Sequence, residues 1–141
     1  MVIFVHGFQA SRQDFVLFKS CLEIRFGCRV FISSTNEGRT DDSIDTLGKR
    51  LAIELNNLFK TVEFGPATRI SFVGHSMGGI IIRSALSYIK NLDNYLYSYM
   101  SFSSPHLGYL YEPSALIQAG LWILNALEKV PSLDELCMRD S

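Results

Sequence analysis

The residues with the clearest capacity for chemistry are Gly74-His75-Ser76-Met77-Gly78, a G-x-S-x-G pentapeptide with Gly79 behind it. A serine hydroxyl is a weak nucleophile at neutral pH. It attacks an acyl carbon only when a base takes its proton and N–H donors hold the resulting oxyanion. The run Arg69-Ile70-Ser71-Phe72-Val73 predicts a strand entering the pentapeptide, and Ile80-Ile81-Ile82 predicts a helix leaving it. Ser76 then stands at a sharp strand-to-helix corner, in a strained backbone conformation. Side chains two residues before and two after would collide there, which explains Gly74 and Gly78. The outgoing helix aims its free N–H groups at the corner, and the first of them belongs to Met77. Gly79 fits close packing of that helix on a sheet.

A second donor is expected from the loop after the first predicted strand, Met1–Val5. The loop reads His6-Gly7-Phe8-Gln9. Gly7 permits close approach, Phe8 carries the N–H, and His6 is expected to hold the loop by hydrogen bonding. The base is harder to place, because the chain has three histidines and two lie in these motifs. The side chain of His75 is expected to point away from the pocket and pack. His106 follows the fourth predicted strand with no carboxylate near it in sequence, and is read as pocket wall. Asp93 is the one acid between Ser76 and His106, and it lies at a strand start on the wrong edge of the sheet. Glu112, Glu128, Asp134, Glu135 and Asp140 come later, but no histidine follows them. A nucleophile and an oxyanion hole are therefore expected, but this chain taken alone cannot complete a triad and is expected to be nearly inert by itself.

The elements that must position these groups alternate. After the first strand, Ser11-Arg12-Gln13-Asp14 resembles a capping box. Phe15, Phe18, Leu22 and Phe26 then mark an amphipathic helix that Gly27 can close. Arg29–Ser33 predicts a second strand, and the polar stretch from Ser34 to Asp42 a surface loop. Ile44, Leu47, Leu51, Leu55 and Leu58 mark a second helix, with Lys49, Arg50, Glu54 and Asn57 on its outer face. The elbow helix is expected from Gly79 to Lys90 and a fourth strand over Tyr95–Phe102. Ser103–Gly108 reads as a loop. Pro113–Val130 reads as an apolar helix that either covers the sheet or caps a lipid-like substrate; its apolar face is no wider than burial requires. The Pro131–Ser141 tail is polar and shows no strand. Alternation of this kind implies a mostly parallel sheet of about four strands with helices on both faces, and active residues at the strands' carboxyl ends.

The chain has 141 residues, a formal charge of −1 and 48% apolar residues, which fit one soluble domain with a real core. Acidic and basic residues are mixed, so no basic stripe suggests a nucleic-acid partner. No apolar run is long enough to span a bilayer. Cys21, Cys28 and Cys137 form an odd set without metal-like spacing, which fits reduced thiols in an intracellular, cytoplasmic setting. The expected chemistry calls for no metal and no cofactor. A chain that opens inside a core strand is expected to be part of a longer protein.

Taken together, these stretches resemble a family of lipase-like serine esterases with the α/β-hydrolase fold, still labelled a domain of unknown function. Within that family the resemblance is to the C-terminal domain of long eukaryotic proteins. It rests on Val5-His6-Gly7, Asn36-Glu37-Gly38-Arg39-Thr40, Arg69–Gly78 with Ile81–Leu86, Ser104-Pro105-His106-Leu107-Gly108, Gly120-Leu121-Trp122 and Leu136–Asp140. The resemblance implies hydrolysis of a small-molecule acyl ester, such as a lipid, through Ser76, with residues 1–141 as an incomplete domain. It implies that the triad acid and histidine follow on later strands. The rival expectation is a hydrolase fold kept as a catalytically inactive binding or scaffolding module.

Overall fold

Alternate residues of the first strand, β1 (Val2–Val5), feed two different cores. Ile3 and Val5 face one side and join Leu47, Leu51, Leu55, Phe72, Ile81 and Ile82. Val2 and Phe4 face the other and meet Phe15, Leu22, Val30 and Val73. A strand buried on both faces is what a parallel sheet between helical layers demands. The computed structural model describes residues 1–63, 65, 68–106 and 131–136. The apolar segment expected at 113–130, residues 107–108 and the stretch from 137 onward lie outside them.

The other strands are β2 (Val30–Ile32), β3 (Ile70–His75) and β4 (Leu96–Phe102). They form a four-stranded sheet in the order β2-β1-β3-β4, every pairing parallel. The register sets Val5 beside Gly74 and His75 beside Phe102, so the carboxyl ends of β1, β3 and β4 meet at one edge.

A 3-10 turn at Arg12–Phe15 leads into α1 (Val16–Phe26). Ser11 and Asp14 form the reciprocal capping box, and Gly27 ends α1 at φ 61°. Phe15 packs on Phe4 with ring centroids 4.8 Å apart. The rest of the expected apolar stripe is largely uncovered: Phe18 is 60% exposed and Phe26 72%. α2 (Ile44–Thr61) buries Leu47, Leu51 and Leu55 as its periodicity predicts, capped by Ser43. Its outer face is not wholly solvated, because Glu54 accepts hydrogen bonds from the Ser33 hydroxyl and the Ser34 N–H. α3 spans Met77–Leu86, beginning two residues before the expected start and ending earlier. A short helix, α4 (Pro131–Leu136), occupies the start of the tail.

The loop after β2 departs from expectation. Asn36 and Thr40 are buried, at 2% and 3% exposure, where the polar composition predicts surface. Asn36 donates through Nδ2 to the Leu47 carbonyl in α2, and the Ser132 hydroxyl of α4 donates to the Thr40 carbonyl. Polarity here marks hydrogen bonds made inside the protein, not contact with water, although Asn36 Oδ1 is buried with no partner among the described residues.

Candidate active site

Ser76 sits between β3 and α3 with φ 53° and ψ −129°. A non-glycine residue held there carries roughly 1–3 kcal/mol of strain, so neighbouring contacts must over-determine it. Three of them come from β4 and the loop beyond. The Ser76 N–H donates to the Phe102 carbonyl at 2.8 Å. The Ser104 hydroxyl donates to the Ser76 carbonyl at 2.6 Å, and Tyr99 Oη donates to the Gly79 carbonyl at 2.9 Å. Ser76 occupies the N-cap position of α3, yet its side chain makes no capping bond. Its hydroxyl is thus not committed to the helix.

The glycines record how tightly the corner is packed. A Cβ on Gly74 would lie 2.5 Å from the Gly79 nitrogen, and one on Gly78 would run into the carbonyls of Val5 and His6. A Cβ on Gly79 would meet Ser104. Gly7 brings the β1 loop against the corner: its Cβ would fall 2.8 Å from Ser76 Cβ and 3.2 Å from Ser76 Oγ. The loop expected to carry a donor therefore does pass beside the serine.

His6 is buried, and its Nδ1 lies 3.0 Å from the Gly7 carbonyl. A carbonyl can only accept, so Nδ1 carries the hydrogen. No peptide bond among the described residues is cis, so the Phe8 N–H points opposite to the Gly7 carbonyl that His6 holds. The Phe8 N–H finds no acceptor among the described residues. On the helix side, the Met77 side chain is fully buried while its N–H is the first of α3, without an intrahelical partner.

Neither of the other histidines has its ring nitrogens shown on Ser76. His75 is exposed and does not take the packing role expected of it. His106 is held from both sides. The Arg83 guanidinium donates to Nδ1 at 3.4 Å, which leaves Nε2 as the protonated nitrogen facing Ser101 Oγ at 2.8 Å. The ring also stands edge-on to Tyr99, with centroids 6.2 Å apart. Among the described residues no cluster of histidine, cysteine or carboxylate side chains could hold a metal. No described helix is long and apolar enough to cross a membrane.

Sequence reasoning missed Ser104, Ser101 and Tyr99 as supports of the corner. Their signal lay only in a strand-to-loop stretch rich in hydroxyls. It likewise missed Thr40, whose Oγ1 accepts the Gln9 N–H at 3.0 Å.

The family described as "Putative serine esterase (DUF676)" matches residues 1–141. The chain belongs to that family. Among solved structures it is similar to the Bacillus licheniformis lipase BlEst2 in mature form, with TM-score 0.64, 21% identity and 96% of this chain covered. It is also similar to the propeptide form of that lipase, with TM-score 0.66 and again 21% identity over 96% of this chain. The likeness establishes a partial α/β-hydrolase fold. This chain spans 53% of the mature lipase chain and 29% of the propeptide form.

Proposed function

We propose that this member of the serine esterase family is the nucleophile-bearing part of a carboxylic-ester hydrolase. In this reading Ser76 is the nucleophile, and the Met77 and Phe8 amides form the oxyanion hole. His6, Gly7, Gly74, Gly78 and Gly79 hold that arrangement. His75 flanks it and His106 forms part of the pocket wall. An acid and a histidine encoded beyond residue 141 complete the triad. The observation that carries the reading is Ser76 itself: a strained residue with both backbone polar groups bonded, an uncommitted hydroxyl, and the Gly7 loop beside it.

The chemistry follows from those positions. The downstream histidine takes the Ser76 proton as Oγ adds to the ester carbonyl carbon, and the two amides hold the oxygen that becomes negative. Collapse expels the alcohol, which receives the proton, and leaves an acyl-serine. Water, deprotonated by the same base, then releases the acid and restores Ser76. Each amide is worth roughly 3 kcal/mol to the transition state. A lipid-like acyl ester is the proposed substrate, supported by the lipase likeness of the fold. Free Cys21 and Cys28 support a reducing, intracellular location.

One observation favours a second reading, an inactive hydrolase fold used as a binding or scaffolding module. His6 Nδ1 and both His106 nitrogens bond other groups, and among the described residues no histidine is hydrogen-bonded to the Ser76 hydroxyl. Turnover of a short-chain p-nitrophenyl ester decides between the two. The protein extended through its downstream coding sequence should hydrolyse the ester, and Ser76→Ala should lose about 10⁴-fold or more in kcat. Equal rates in both forms would overturn the esterase reading.

A further inference from the structure

The loop that carries the second oxyanion donor is closed by one long turn bond of its own, from the Ala10 N–H to the Gly7 carbonyl at 3.4 Å, and leans on outside partners for the rest. Gln9, directly after Phe8, has φ 50°, a left-handed conformation that costs a residue with a Cβ roughly 1–2 kcal/mol. Something must hold it there. The Gln9 N–H donates to Thr40 Oγ1 at 3.0 Å, and three residues on, the Arg12 N–H donates to Glu37 Oε1 at 2.7 Å. Both acceptors belong to the loop after β2, so residues 37–40 grip the β1 loop at two points.

That gripping loop is itself anchored. Asn36 bonds the Leu47 carbonyl in α2, the Arg39 N–H closes a turn on the Asn36 carbonyl at 3.1 Å, and Gly38 supplies φ 66° for it. Thr40 is 3% exposed, and its carbonyl accepts the Ser132 hydroxyl at 2.9 Å. The Oγ1 that meets Gln9 thus projects from a point fixed by α2 on one side and α4 on the other. His6 sets the Gly7–Phe8 peptide plane from one flank, and Thr40 fixes the peptide after it from the other.

We propose that Thr40 is a positioning residue of the active site. It holds Gln9 in its left-handed conformation and so keeps the Phe8 N–H turned to the oxyanion of the acyl intermediate. The proposal rests on the esterase reading of Ser76 and adds to it a residue 36 positions upstream that touches no reacting atom. Valine at position 40 keeps the volume and removes the acceptor; serine keeps the acceptor and removes a methyl group.

The test uses the protein extended through its downstream coding sequence, as wild type, Thr40→Val and Thr40→Ser. Saturating fluorophosphonate counts reactive sites, and p-nitrophenyl ester turnover is expressed per site. Thr40→Val should lower kcat about 10- to 100-fold with KM changed less than about twofold, since the donor acts chiefly on the transition state. Thr40→Ser should restore most of the rate, and the Gln9 amide should lose hydrogen-exchange protection in the valine variant alone. Wild-type turnover per site in Thr40→Val, or equal impairment in both variants, would overturn the positioning role while leaving the esterase reading intact. A wild-type protein that neither labels at Ser76 nor turns over ester would overturn both.

Discussion

The hydroxyl of Ser104 reaches back across the end of β4 and donates to the carbonyl of Ser76 at 2.6 Å. Together with the Phe102 carbonyl on the Ser76 N–H, it occupies both backbone polar groups of the strained residue. The corner is therefore held from β4 as much as from its own strand and helix. Gly79 must lack a side chain because Ser104 fills that space.

Ser104→Ala should remove this hold. Loss of one neutral hydrogen bond to a half-buried carbonyl predicts a destabilisation of about 1–2 kcal/mol, read as a lower urea midpoint with unchanged slope. An unchanged midpoint would mean that the contact contributes nothing to the corner.

Gly78→Ala should be far worse. The new methyl group would drive into the Val5 and His6 carbonyls, which are backbone and cannot rotate aside. The expected cost is at the upper end of, or beyond, the roughly 1–3 kcal/mol usual for overpacking. Soluble yield and urea midpoint check this, and a variant with wild-type values would show that the elbow is looser than described.

His106→Ala should leave the nucleophile reactive. His106 bonds Arg83 and Ser101, so it serves as wall and brace. Fluorophosphonate labelling of Ser76 should slow by less than about tenfold, against the ten-thousandfold or greater loss that follows removal of a triad base. A loss on the larger scale would make His106 the base.

A surface cluster away from the site gives a pH prediction. Asp45 accepts the Tyr88 hydroxyl at 2.7 Å and pairs with Lys49 one helical turn on. The Lys49 hydrogen bond, then that of Tyr88, holds the Asp45 carboxyl below its usual range. Bonding to Asp45 raises both the Lys49 ammonium and the Tyr88 phenol. The carboxylate's contribution is thus present at neutral pH and lost as pH falls through its lowered folded value. The contributions of Lys49 and Tyr88 are present at neutral pH and lost as pH rises through their raised folded values. All three groups are exposed, so Asp45→Asn should cause only a small midpoint drop at pH 7 and low salt. That drop should vanish in strong acid and in about 1 M salt, where screening is nearly complete. A difference that survives both conditions would point to packing instead of charge.

The strands, the elbow and the buried face of α2 could be read from the sequence because each depends on neighbours within a few residues. Ile70–Val73, the flanking glycines and the Leu47-Leu51-Leu55 stripe carry their own periodicity. What could not be read depends on distant partners. Thr40 looked like surface because its burial is decided by Gln9 and by Ser132, far away in the chain. Phe18 and Phe26 share the helical spacing of Phe15, but spacing names a face and does not say whether anything lies on it. The exposed position of His75 was hidden in the same way. Its place at the last residue of β3 is local, whereas its surroundings are set by β4.

The central claim is that Ser76 is a nucleophile, and covalent mapping tests it most directly. The protein extended through its downstream coding sequence is treated with a fluorophosphonate, digested, and read by mass spectrometry. The account predicts one stoichiometric adduct on Ser76, absent from Ser76→Ala and from heat-unfolded protein. An adduct elsewhere with Ser76 unmodified, or equal labelling of the alanine variant, would contradict it.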